Sequence, residues 1–198
     1  MRSLLAIAVV ATCLPTLSAA QPAAPQPPEI VKTRCAMCHG EKGEATSEDF
    51  PRLAGQHEAY LARSLRDFRA GRRQSIMQRF VKNVTEPDMD AIARYYAAQP
   101  VPPPSGQVTE LGSVGKYLYE KGNTFSGVPA CKTCHGALAH ASEKLPRLAG
   151  QHVSYLEREI REFIDAKRTN DNEVMHTVAE KLTPLEIRAL AEYLAALP

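Results

Sequence analysis

The chain has 198 residues, with 24 Lys and Arg against 22 Asp and Glu and a formal net charge of +2. So balanced a charge offers nucleic acid no strongly basic surface. A Pro-rich stretch at 99–106 divides a length suited to two small domains, each able to bury only limited apolar surface unaided.

Residues 1–20 read as a secretory signal: Arg2 is the positive start, Leu4 to Leu14 the apolar run, and Ser18-Ala19-Ala20 a small-residue cleavage site. The run is too short to span a bilayer, and no later segment is long and apolar enough. The expectation is an exported, soluble periplasmic protein. Val10-Ala11-Thr12-Cys13 is a poor lipidation site, because Thr12 is a weak residue before the cysteine. Residues 21–28 (QPAAPQPP) form a stiff leader.

The first block is Glu29–Pro100. It opens with a short helix over Glu29–Arg34 that runs into Cys35-Ala36-Met37-Cys38-His39. Cys-x-x-Cys-His is the attachment site of a c-type haem: two thiols bond the porphyrin vinyl groups, and the adjacent imidazole points at the iron. A loop through Pro51-Arg52-Leu53-Ala54-Gly55-Gln56-His57 follows, then a helix with Tyr60, Leu61, Leu65 and Phe68 on its apolar face. Arg63, Arg66, Arg69, Arg72 and Arg73 crowd that helix and its end. They read as a solvated face, with two sharper alternatives: a docking patch for an acidic redox partner, or Arg72 and Arg73 pairing with haem carboxylates. An irregular loop holding Met77 leads to a terminal helix started by Thr85-Glu86-Pro87-Asp88, with Ile92, Tyr95 and Tyr96 inward.

The 99–106 stretch (QPVPPPSG) reads as a linker, its core at 101–106, before the second block, 107–198. That block carries an extra helical stretch over Gly115–Lys121 and then repeats the first. Cys131-Lys132-Thr133-Cys134-His135 matches the first motif, and Pro146 to His152 matches the loop. Tyr155, Leu156, Ile160 and Phe163 match the helical face, and Thr183-Pro184-Leu185-Glu186 is a capping box opening the last helix. No segment alternates with period 2, so each block is helical.

Five cysteines less Cys13 leave Cys35, Cys38, Cys131 and Cys134, all of which two covalent haems would use. A zinc ribbon is the rival, disfavoured because each pair has its own adjacent His and its own repeat. A second axial ligand is needed on each iron, and Met and His are the usual choices. Met175 is the sole methionine after Cys134. In the first block Met37 lies within the motif and Met89 in the terminal helix, which leaves Met77. Met77 and Met175 each stand eight residues before the Thr that starts the last helix. His57 and His152 are rival ligands but read as structural or surface residues; His176 has Gln78 opposite it in the repeat, and His140 reads as exposed.

With these residues the chain resembles the two-haem class I cytochromes c, and most closely the cytochrome c4 family. The carriers are CAMCHG, CKTCHG, the two PRLAGQ segments, Asn170–Met175 and the closing Ala-x-Tyr helices. The resemblance implies an all-α fold of two tandem class I cytochrome c domains joined by the Pro-rich linker. It implies two covalent c-type haems with ligand pairs His39/Met77 and His135/Met175. It also implies that the carbonyls of Pro51 and Pro146 accept from the free ring nitrogens of those histidines. The implied role is a non-enzymatic electron carrier from a quinol-oxidising complex to a terminal oxidase or reductase, with peripheral membrane association open to it through such partners. One alternative is the dihaem subunit of a dehydrogenase, such as a sulfide-oxidising flavocytochrome. Another is a dihaem peroxidase or thiosulfate-oxidising enzyme, which would need an open iron.

Overall fold

The computed structural model describes residues 26–198; the expected signal segment, Cys13 and most of the leader lie outside them. Among the described residues there is no strand, only isolated bridges. The first domain begins helically at Glu29, passes through a π-helical turn at Val31–Cys35, and continues into α1 (Ala36–His39). Then come α2 (Glu58–Arg69), α3 (Met77–Val81) and α4 (Glu86–Ala97). The second domain has α5 (Glu110–Lys121), α6 (Lys132–His135), α7 (Val153–Ile164), α8 (Val174–Ala179) and α9 (Pro184–Ala195).

Threonine caps set α4, α5 and α9, whereas α2 and α7 start without a side-chain cap. Thr85 Oγ1 accepts from Asp88 N at the start of α4, and Thr183 and Glu186 form the full reciprocal box at the start of α9. The apolar faces then close two cores. Val31, Leu61, Val81, Met89, Ile92 and Tyr96 fill the first, and Leu118, Tyr119, Leu156, Leu190, Ala191 and Leu194 the second. Helices α5 and α9 cross backbone to backbone at Gly115, where a Cβ would come within 1.9 Å of the Ala189 carbonyl oxygen.

Three expectations change. The extra helix of the second block is longer than expected, starting behind an N-cap at Thr109. It stops at Lys121, where Gly122 takes a left-handed φ of 74°. It therefore does not end at the haem motif; residues 122–131 carry the chain there through a tight turn closed by Asn123 and Val128. The loops expected around Met77 and Met175 contain the short helices α3 and α8, too brief to show a helical period. Finally, Tyr60 and Tyr155, assigned to their own domains' apolar faces, meet the opposite domain instead: the Tyr60 hydroxyl accepts from Arg168, and that of Tyr155 from Arg73.

The domains join along a seam with approximate two-fold symmetry. Gln56 Nε2 donates to Arg147 O (2.9 Å) while its Oε1 accepts from Arg147 N (2.8 Å). Reciprocally, Gln151 Nε2 donates to Arg52 O (3.0 Å) and its Oε1 accepts from Arg52 N (2.9 Å). Arg73 and Arg168 pair as an antiparallel bridge, flanked by Gln74 N to Lys167 O (2.9 Å) and Thr169 N to Arg72 O (3.0 Å). Each guanidinium lies over its own domain's phenylalanine, Arg73 on Phe68 and Arg168 on Phe163.

Candidate functional site

Each Cys-x-x-Cys-His segment is held by the same local devices. Gly40 and Gly136 both take φ 77°, ending α1 and α6 just after the histidine. The chain then folds back: Ala45 N donates to His39 O (2.8 Å), and Ala141 N to His135 O (3.0 Å). A buried tyrosine hydroxyl donates to the glycine carbonyl in each domain, Tyr96 to Gly40 O (3.2 Å) and Tyr119 to Gly136 O (2.5 Å). Tyr96 comes from α4 and Tyr119 from α5, so the extra helix of the second domain replaces a group that the first draws from its terminal helix.

His39 is buried, and its Nδ1 lies 3.0 Å from Pro51 O. A neutral imidazole with Nδ1–H given to a carbonyl presents Nε2 as an electron pair, the form a metal takes. Burial holds its pKa down, against the carbonyl contact. In the second domain the contact to Pro146 is not made, and His135 Nδ1 is buried with no hydrogen-bond partner. Burial, with Arg168 second, also holds His135 neutral. Cys35 and Cys131 are half-buried thiols pushed up to about 11 by burial, and all four described cysteines are free.

Met77 is the first residue of α3 and packs against the first core, as Cys35 also does. Met175 is the second residue of α8, half-buried, with its N–H bonded to Asp171 Oδ2 (2.5 Å). The rival histidines are engaged elsewhere or lack a repeat partner's geometry. His57 Nε2 lies 2.6 Å from His140 O across the seam, His140 Nε2 bonds Pro198 O (2.9 Å), and His176 Nδ1 bonds Phe163 O (2.8 Å). His140 is half-buried rather than exposed. His152 is buried at the seam, with Nε2 unpartnered and the pKa lowered by burial and then by Arg52.

The arginine cluster is not a free solvated face. Arg63 donates to Lys144 O of the second domain. Arg66 bonds Glu86 (2.6 Å) and Asp90 (2.7 Å), and Arg69 pairs with Glu86. Arg72 bonds the buried Asp67, and Arg73, 3% exposed, bonds Glu159 at 2.7 Å. Sequence reasoning missed this because charge alone reads as exposure. The available signal was polar residues recurring at one offset in both blocks: Arg52/Arg147, Gln56/Gln151, Arg73/Arg168.

The residues fit haem. Each domain offers two free thiols, an imidazole held neutral by burial (buried at His39, half-buried at His135) and a thioether in matched places. A cavity between the two Pro-Arg-Leu turns is lined by Leu53, Leu61, Leu148 and Leu156 together with Arg52 and Arg147. Arg52, Arg73 and Arg147 each keep a buried Nε–H without an acceptor, and Glu159 is the one carboxylate among the described residues bonded to Arg73 and Arg168. That surplus of positive charge suits the carboxylates a haem carries. The four cysteines do not converge, and no group of three His, Cys, Asp or Glu side chains able to hold a metal ion occurs among the described residues.

Comparison with known proteins agrees. The cytochrome c family model matches twice, at residues 28–99 and 115–198. Cytochrome c4 of Thiocapsa roseopersicina is 38% identical over 167 residues, covering 82% of this chain and 86% of that protein. The chain belongs to the cytochrome c4 family. Reduced recombinant cytochrome c4 from Pseudomonas stutzeri superposes with a TM-score of 0.79 at 31% identity, over 83% of this chain and 93% of that one. A thiosulfate dehydrogenase electron acceptor of Thiomonas intermedia is 36% identical over 207 aligned positions, spanning 100% of this chain and 92% of that protein. As a member of this family the chain is two tandem cytochrome c domains with two covalently bound c-type haems, and it transfers electrons rather than catalysing a reaction. No helix of the described residues is long and apolar enough to cross a membrane.

Proposed function

We propose that the protein is a periplasmic dihaem carrier, exported by residues 1–20, that takes electrons from a quinol-oxidising complex and passes them to a terminal oxidase or reductase. The haems supply two one-electron Fe(III)/Fe(II) couples. Cys35, Cys38, Cys131 and Cys134 anchor them covalently, His39 and His135 bind the irons from one side, and Met77 and Met175 from the other. The Pro51 carbonyl orients the His39 ring; Pro146 is assigned the same duty for His135. The observation that carries this reading is the doubled set of one motif histidine and one matched methionine per domain. Two ligands per iron leave no face open to peroxide or thiosulfate, and a thioether favours the reduced state relative to a second imidazole.

A second reading, the electron acceptor of a dehydrogenase, is favoured by the full-length match to the Thiomonas intermedia protein, leader region included. The ferric holoprotein mixed with a purified quinol–cytochrome c reductase and quinol separates them. The carrier reading expects both haems to be reduced at catalytic enzyme concentrations. Failure there, with rapid reduction by a thiosulfate dehydrogenase and thiosulfate, transfers the chain to the second reading. Turnover of thiosulfate by the pure protein alone defeats both.

A further inference from the structure

Both methionine segments start from the seam. Residues 72–74, leading to Met77, pair with 167–169, leading to Met175, through the Gln74–Lys167 and Thr169–Arg72 backbone bonds. Beneath this pairing, besides Glu159, lies the carboxylate of Asp67, in the last turns of α2 and only 2% exposed. Its two oxygens are divided. Oδ1 accepts from Arg72 Nε (2.8 Å) and from the terminal nitrogen of the same guanidinium (2.6 Å). Oδ2 accepts from Asn170 Nδ2 (2.7 Å). Asn170 Oδ1 in turn accepts from Arg168 Nε (3.0 Å).

The arrangement has no mirror image. The repeat puts Glu162 at the place of Asp67; it is half-buried, and its carboxylate makes no hydrogen bond among the described residues. The segment before Met175 is also three residues longer than that before Met77, counted from the paired arginines. It bends through Asn172 and Glu173 at φ 55° and 65°, which L-residues rarely adopt. Such a bend persists where its surroundings hold it. Asp171 holds it on one side, accepting from Glu173 N (3.2 Å) and Met175 N. Asn170, clamped by Asp67 of the other domain, holds it at its root.

We propose that Asp67 is a shared positioning residue: one buried carboxylate of the first domain fixes the methionine segments of both domains, that of Met77 through Arg72 and that of Met175 through Asn170. The two axial thioethers are thereby tied to the seam, and loosening it weakens the sixth ligand on both irons. This rests on the reading that Met77 and Met175 are ligands.

The test is displacement of methionine by imidazole in the ferric holoprotein, followed by loss of the near-infrared Met–Fe(III) band. In a Met77→Ala background the remaining band belongs to Met175, and in a Met175→Ala background to Met77. A background that retains both bands overturns the ligand reading itself, separately from the role of Asp67. Asn170→Ala should raise imidazole affinity about tenfold at the Met175 haem and less than twofold at the Met77 haem; tenfold corresponds to about 1.4 kcal/mol. Arg72→Ala should do the reverse, and Asp67→Ala should raise both. If Asp67→Ala does not fold, the two milder variants decide the matter. Equal shifts at both haems for Asn170→Ala and Arg72→Ala would show general loosening and overturn the proposal, as would shifts below twofold throughout.

Discussion

Replacing Gln56 and Gln151 by Ala probes the seam where it is most regular. Each amide is buried, 7% and 6% exposed, and makes two interdomain bonds to the backbone of the facing arginine, plus one to the following histidine N–H. A net contribution of about 1 kcal/mol for each of the three hydrogen bonds gives about 3 kcal/mol per glutamine. Two of the three bonds per glutamine cross the seam, so the double variant should lose about 4 kcal/mol of interdomain stabilisation. At roughly 2–4 °C per kcal/mol for a chain of this size, one substitution should lower the midpoint of unfolding by about 6–12 °C. Differential scanning calorimetry of the holoprotein gives the readout. The parent should unfold in one transition, and the double variant in two, one per domain. A double variant that still unfolds in one transition, within about 2 °C of the parent, refutes the assignment of the seam to these amides.

Acid should weaken the same seam. Arg73 and Arg168 offset the burial that raises the Glu159 carboxyl, so its folded pKa lies below the ordinary 4.5. Its contribution is complete above the unfolded value and is lost as pH falls through the folded one, so stability measured by urea unfolding should drop below about pH 4.5. Glu159→Gln should lose roughly 3 kcal/mol at neutral pH, because two guanidiniums then share no acid, and should flatten that acid limb. Gly115→Ala should destabilise the second domain by about 3 kcal/mol, since its Cβ meets the Ala189 carbonyl of a neighbouring helix; thermal unfolding should show a lowered midpoint. Cys134→Ala should weaken or abolish covalent haem in the second domain alone, read as a loss of one haem mass by intact-protein mass spectrometry.

The repeated chemistry was legible because covalent attachment demands a fixed spacing, the terminal helices because Thr85 and Thr183 announce them with caps, and the middle helices because their apolar residues recur with helical period. The cytochrome c4 resemblance drawn from CAMCHG, CKTCHG and the two PRLAGQ segments is borne out by the comparisons. What escaped was the partner of each surface. Helical period marks Tyr60 and Tyr155 as apolar-facing but cannot say that the opposite domain covers them. Net charge marks Arg73 as polar but not that Glu159 and Phe68 bury it. The short helices at Met77 and Met175 span five and six residues, less than two turns, so no period could emerge. His135, unlike His39, has no carbonyl on Nδ1, a difference between domains that identical motifs cannot encode.

The proposed function requires each domain to close its iron with one histidine and one matched methionine. The near-infrared Met–Fe(III) band of the ferric holoprotein tests it. Met77→Ala and Met175→Ala should each remove about half of the parent's intensity, and the double variant all of it, with both haems still covalently attached. Full intensity retained in either single variant would contradict the account.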